Sequence, residues 1–342
     1  MSNTSFPILI VGVGQRTSLE QMYLRAFQAN GCREVDLLDV EANRPDWLRN
    51  RLVNRFMPEV GNNWASQRLL AHLRACNNRY RWIIIFKGMQ FSRLILEECR
   101  RLAPAALWIN INPDDPYNKI SRAASNRNVI DSLSFFDAYC IWSHLIAERL
   151  RKDGCKKVIY LPFGYDTTYH VPHNLHNLGS SGLISFIGSW DQEREAILAQ
   201  LAEYDFCIYG NGWNRAARDF KLIKSLTYRD VFGLEMSTTI ISSDICLNLL
   251  RQQNRGSHNM RTFELPAMGG LMLTSRTVEQ QEFFPENEAC YMYADVTEMK
   301  TKIEYILANK QEADLVRARG LERALDHSYT NRARFLLSEL IC

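Results

Sequence analysis

The sequence predicts an α/β protein of two Rossmann-like halves, each a parallel sheet covered by helices. Three observations lead there. Short apolar runs of strand length alternate with longer amphipathic segments, the pattern of βαβ units. A polar stretch near 166–182, bearing Pro172, Gly179 and Gly182 and following neither period, interrupts the alternation as a linker would. Glycines stand directly after several apolar runs, where an open α/β sheet keeps its ligand-binding loops.

The elements follow in order. Residues 6–13 form a strand running into Gly12-Val-Gly14, and a helix spans about 18–29 with Ser18 as N-cap and Gln21 completing a capping box. Gly31 ends that helix and 34–40 is the next strand. Strands at 82–86, 106–111, 138–142 and 158–161 complete the first half, separated by helical patterns. The second half has strands at 183–187, 206–209, 245–249, 271–274 and 291–293, with helices near 191–203, 258–268, 295–308 and 311–325. A last amphipathic segment covers 330–341. The expected domains are 1–168 joined by the helix 329–342, a linker at 169–182, and 183–328.

Composition excludes several classes. The chain has 342 residues, 46% hydrophobic and 23% charged, which is ordinary globular material for about two domains. Apolar runs such as 82–86 are far short of the ~18–20 residues of a membrane span. A net charge of +3 is too small to imply nucleic acid. The first residues carry no basic segment followed by an apolar one, so no secretory signal is expected. The nine cysteines are scattered without a Cys-x-x-Cys, which points to free thiols in a reducing cytoplasm rather than a disulfide or zinc framework.

Four loops carry candidate chemistry. Gly12-Val-Gly14-Gln-Arg-Thr17 permits close backbone approach to a phosphate or sugar, or is a plain tight turn. Thr17 stands where a dinucleotide fingerprint needs its third glycine, although Asp39 is placed as a ribose acid would be. Asn112-Pro-Asp114-Asp115-Pro follows a strand and offers two carboxylates, or simply turn chemistry. The run from Arg251 through Arg255, His258, Asn259, Arg261 and Glu264 to Gly269-Gly270 combines three arginines with a helix start near Ser257, an anion site suited to diphosphate or else a solvated helix with surface arginines. Glu264 can accept from two vicinal ribose hydroxyls. Gly188-Ser-Trp190 leads to Arg194, either a surface residue or one paired with an anion, and Gly210-Asn211-Gly212 again allows close approach.

His170, His173 and His176 lie off any helix and lack convergent geometry, so no metal is expected there. No Asp-x-Asp occurs. From Arg44 to Arg81 the chain has eight arginines and few acids, with Trp47, Leu48, Leu52 and Phe56 interleaved. This is a solvated helical pair, or a patch for a membrane surface or acidic acceptor.

Arg261-Thr-Phe-Glu264-Leu-Pro-Ala-Met-Gly269-Gly, with Asp326-His-Ser-Tyr329, resembles the glycosyltransferases related to the spore-maturation protein CgeB, themselves similar to the large retaining GT-B group. The likeness extends through Lys87-Gly88, Asn112-Pro-Asp114-Asp115-Pro116, Leu161-Pro-Phe-Gly164-Tyr-Asp166, Phe186-Ile-Gly188-Ser and Gly210-Asn-Gly212-Trp213. It implies a GT-B fold, two Rossmann-like domains facing each other across a cleft, with a nucleotide-sugar donor held mainly by the second domain. Glu264 matches the second glutamate of the group's Glu-x7-Glu motif, which holds donor ribose. Arg194 stands in for a pyrophosphate-binding lysine, and Gly210 and Gly212 match the turn near the nucleotide. Two positions depart: Gly256 replaces the first glutamate and Ser189 a usual arginine.

The expected function is metal-independent, retaining sugar transfer. Arg194, Arg251, Arg261 and the helix start at His258 and Asn259 would stabilise the departing diphosphate, with Gly14, Gly210, Asn211 and Gly212 along the donor. In an inverting reaction Asp115 or Asp114 is the candidate base. Expected partners are the nucleotide-sugar donor and an acceptor glycan, lipid-linked glycan or protein. Peripheral membrane contact through the stretch from Arg44 to Arg81 would place the protein at the cytoplasmic face. Nucleic acid is not expected. A donor-binding scaffold without turnover and a dinucleotide-dependent oxidoreductase are the alternatives.

Overall fold

The computed structural model describes residues 6–118, 124–172, 183–216 and 221–341. Two compact units emerge: Met1–Pro162 with Tyr329–Cys342, and Phe163–Ser328. The first break falls earlier than the expected 168 because the intervening residues are bonded to the second unit. The Phe163 amide donates to His258 Nε2 at 3.2 Å and the Tyr165 amide to the His327 carbonyl at 3.2 Å. Residues 173–182 of the expected linker, with His173 and His176, lie outside the described residues.

The first unit contains β1 (Ile8–Gly12), β2 (Val35–Asp39), β3 (Trp82–Phe86), β4 (Leu107–Asn112), β5 (Ala138–Ile141) and β6 (Val158–Tyr160). They form one parallel sheet in the order β2-β1-β3-β4-β5-β6. β1 and β3 are buried along their whole length, which is why they read as unbroken apolar runs rather than alternating ones. Strand order reverses between β1 and β3, the position where open sheets of this kind hold ligands.

Ser18 caps the helix Leu19–Ala29, its Oγ accepting from the Gln21 amide at 3.4 Å. Gln21 does not complete the expected capping box. Its Nε2 donates to the Gly14 carbonyl at 3.4 Å, so the side chain braces the turn after β1 instead. The chain's last helix, Tyr329–Ile341, packs on Leu19–Ala29 through Tyr23 and Tyr329, whose ring centroids lie 5.2 Å apart. Asn30 donates to the Thr330 carbonyl at 2.8 Å across the same seam.

The second unit contains β7 (Ile184–Ile187), β8 (Phe206–Tyr209), β9 (Ile245–Asn248), β10 (Met272–Ser275) and β11 (Tyr291–Tyr293), all parallel in the order β11-β10-β9-β7-β8. Its core joins Phe186, Trp213, Leu247, Leu273 and Met299. The order reverses between β7 and β9, so the loops after these strands define its candidate site.

Candidate functional site

The turns after β7 and β8 are locked back to back. A side chain at Gly210, whose φ is +129°, would put its Cβ 2.2 Å from the Gly188 carbonyl oxygen, so only glycine fits. The Trp190 amide donates to the Asn211 carbonyl at 2.8 Å, and Trp213 Nε1 to the Gly188 carbonyl at 2.8 Å. Gly212 has φ +83° and leaves the exposed Asn211 at the tip.

Arg194 is not a surface residue. It is buried, donating through Nη1 to the Ser189 carbonyl at 3.0 Å and through Nη2 to the Leu249 carbonyl at 2.7 Å. It therefore pins together the chain leaving β7 and the chain leaving β9. Burial, then the nearby Arg251, push its guanidinium down to about 10, still charged at neutral pH. Asp191, the N-cap of helix Gln192–Leu198, offers Oδ2 at 3.4 Å from Arg194 Nε and 3.6 Å from Arg251 Nε. This carboxylate offsets the penalty of placing a cation in a first helical turn. Arg251 stays partly exposed, and it presents the cation to solvent that Arg194 does not.

The loop after β9 departs from expectation in two respects. The helix begins at Arg261 rather than near Ser257 and is seven residues long. Its first turn is occupied, because Asn259 Oδ1 accepts from the Thr262 amide at 3.1 Å. Asn259 also donates to Asn248 Oδ1 at 2.9 Å, and Gln280 Oε1 accepts from Thr262 and Thr274 hydroxyls at 2.8 and 2.9 Å. Asn259 is thus part of a buried amide network that fixes the helix to the ends of β9 and β10. His258, expected to meet the donor, is fully buried with both ring nitrogens engaged. Its Nδ1 lies 2.7 Å from Glu279 Oε2, and its Nε2 accepts from the Phe163 amide. That second bond requires Nε2 to be unprotonated, so the proton sits on Nδ1 and is shared with Glu279. His258 ties Phe163 to the loop and has no free nitrogen for a ligand.

Glu264 lies buried one turn into the helix, with Oε2 bonded to Arg261 Nη1 and Oε1 3.7 Å from His170 Nε2. Arg261 Nε donates to the Ile187 carbonyl at 3.1 Å, anchoring this carboxylate beside the end of β7. Gly256 has φ +79°, a conformation that disfavours a glutamate there. It lines a cavity of about 510 Å³ with Leu249, Ser275, Arg276, Tyr293 and Asp295, at the carboxyl ends of β9, β10 and β11.

In the first unit, Gly14 faces Asp39, whose Oδ2 would be 2.4 Å from an added Cβ. Asp114 pairs with Lys87, Nζ to Oδ2 at 2.6 Å, joining the loops after β3 and β4. Lys87 itself has φ +61°, an uncommon backbone for a non-glycine residue at a loop of this kind. Asp115 Oδ1 accepts from the Tyr117 amide at 2.9 Å, the turn chemistry expected of its sequence. Burial raises the Asp115 carboxyl above its ordinary value, partly countered by that amide. Among the described residues, no group of three His, Cys, Asp or Glu side chains is placed to hold a metal ion.

Sequence reasoning missed the roles of Asn248, Gln280, Glu279 and His170. The first three sit in ordinary apolar or polar surroundings in sequence and acquire partners only by folding. His170 was visible, but as part of a discounted histidine series.

Two parallel-sheet Rossmann-like units of this kind define the GT-B architecture of glycosyltransferases. Residues 193–338 match the family model described as glycosyl transferase-like. Sucrose-phosphate synthase from Thermosynechococcus elongatus is similar over 98% of both chains, at 14% identity and a TM-score of 0.71. Anabaena Alr3699/HepE, in complex with UDP-glucose, is 9% identical over 97% of this chain and 100% of its own, at 0.65. A glycosyltransferase from Rickettsia africae is 12% identical over 98% of both chains, at 0.64. At these identities the likeness is one of fold. No curated protein matches the chain.

Proposed function

We propose that this protein is a glycosyltransferase that moves a sugar from a nucleoside-diphosphate sugar to an acceptor. The observation that carries the reading is Glu264, a buried carboxylate held by Arg261 beside the ends of β7 and β9, inside the segment that matches a glycosyl transferase-like family. A carboxylate fixed there can accept two hydrogen bonds from a ribose and set the donor's register. UDP and UDP-glucose bind the structurally similar Anabaena protein, which supports a uridine nucleotide as the donor class to test first.

In this reading Arg251 faces the leaving diphosphate. Arg194 acts one step back, holding the Ser189 and Leu249 carbonyls, and so the two loops, in place. Preorganised cations lower the cost of charge developing on the departing phosphate, and on this account no metal is needed. The likeness to CgeB-related enzymes favours retention, with Asp115 as the base if the reaction inverts. A second reading, a donor-binding protein without turnover, is favoured by Gly256, which removes a carboxylate from the wall of the 510 Å³ cavity.

The test is a thermal-shift series with UDP, GDP, TDP, CDP, ADP, NAD and FAD in EDTA, on wild type and Glu264→Ala. A ligand at about 100 times its Kd adds ~2.7 kcal/mol to stability. Stabilisation by one nucleoside diphosphate, lost in the variant, is expected. Stabilisation by NAD or FAD alone would overturn the proposal. Donor binding without diphosphate release in an acceptor screen would favour the second reading.

A further inference from the structure

Between β2 and the helix Pro58–Cys76, the first unit carries two short helices, Asp46–Arg49 and Arg51–Phe56. They turn one apolar residue inward, since Leu48 is 2% exposed. Four others point outward: Trp47 is 59% exposed, Leu52 64%, Phe56 72% and Met57 54%. Leu52 and Phe56 stand four apart and so share one helical face. Elsewhere in the first unit the large exposed apolar side chains, such as Leu94, Ile130 and Leu145, stand far apart in sequence. Isolated exposed hydrophobics are normal; four over 11 residues (47–57) form a concentration that stands out from the rest of the unit.

The charge around the run selects its occupant. From 46 to 57 the sequence holds Arg49, Arg51 and Arg55 against Asp46, while Arg44 just before the run is mostly buried and paired with Glu41 at 2.6 Å. Arg55 is exposed beside the Phe56 ring, 5.6 Å from its centroid. Tryptophan, phenylalanine and leucine flanked by arginine is the composition that settles into the headgroup boundary of an anionic bilayer. The rings enter the acyl boundary while guanidinium groups stay with the lipid phosphates. No helix among the described residues is long and apolar enough to cross a membrane, so the mode to consider is surface contact.

We propose that this face, Trp47, Leu52, Phe56 and Met57 with the exposed Arg55 beside them, docks the protein peripherally on an anionic lipid surface. It sits in the unit whose loops hold Asp114 and Asp115, which fits an acceptor presented at a membrane. The docking itself rests only on the first unit and stands or falls independently of donor binding.

The experiment is co-sedimentation of the full chain with vesicles of equimolar phosphatidylcholine and phosphatidylglycerol, and with vesicles of phosphatidylcholine alone. Wild type is expected in the pellet with the anionic vesicles only, and less so as salt rises. Trp47→Ala/Phe56→Ala and, separately, Arg55→Glu are expected to cut the bound fraction about tenfold. Both substitutions are at exposed positions, so unchanged melting temperature and unchanged response to UDP confirm that each variant is folded. Failure to pellet with anionic vesicles, or equal pelleting by wild type and the double variant, would overturn the proposal. So would light scattering that shows a dimer dissolved by Trp47→Ala/Phe56→Ala, which would assign the face to a second copy of the chain.

Discussion

The strand-end loops of the two units are built in different ways. In the second unit they are stitched by buried and half-buried polar bonds: Arg194 to two carbonyls, Asn259 to Asn248, Gln280 to two hydroxyls, and Arg261 to both Glu264 and the Ile187 carbonyl. In the first unit the corresponding loops are partly exposed. They are held by the ion pair of Lys87 with Asp114, by local turns such as the one at Asp115, and by amide side chains, Gln21 on the Gly14 carbonyl and Asn126 and Asn128 on the Met89 carbonyl. Buried hydrogen-bonded networks rigidify because each member left unpaired is costly, whereas partly exposed pairs contribute little. The second unit therefore resembles a preorganised receptor for one ligand class. The first has loops that can change residues at less cost to the fold.

The largest effect that would sharpen this contrast is expected from Arg194→Met. It orphans the buried Leu249 carbonyl, frees the more exposed Ser189 carbonyl, and should cost about 1–3 kcal/mol, read by urea unfolding. Nucleotide-induced stabilisation should disappear with it even at temperatures where the variant is folded. If Arg194→Met unfolded like wild type, the account of a pinned receptor would fail.

Lys87→Ala is the counterpart in the first unit. Both partners are partly exposed, so unfolding free energy should fall by no more than about 1 kcal/mol. UDP-induced stabilisation should be unchanged, and any loss should appear in turnover with an acceptor. Loss of UDP response in Lys87→Ala would break the separation of roles.

The smallest expected effect is at Asp115. Its raised carboxyl pKa means the folded state favours the protonated form, so its contribution to stability is present at low pH and lost as pH rises through the folded value. Asp115→Asn keeps an acceptor for the Tyr117 amide and removes the half-buried charge. It should raise Tm by about 1 °C at neutral pH, with the difference vanishing well below the usual carboxylate range. A Tm gain that persisted unchanged in acid would assign the effect to something other than the charge.

The two-unit α/β architecture was legible because its determinants are local. Strands buried on both faces, such as Ile83-Ile84-Ile85, must be continuously apolar, and helix starts such as Ser18 carry their own capping chemistry. Gly210 was legible as well, since only glycine tolerates its φ and the approach of Gly188. The sequence also marked the exposed run at Trp47, Leu52 and Phe56 and the position of Glu264. What it left open was direction. Whether Arg194 reaches solvent or two carbonyls, and whether His258 meets a ligand or the Phe163 amide, depends on residues 55 and 95 positions away in the chain. Those partners are brought together only by strand order. A charged or aromatic side chain carries the same chemistry in either place, and burial alone decides whether that chemistry is spent on the fold or offered to a substrate.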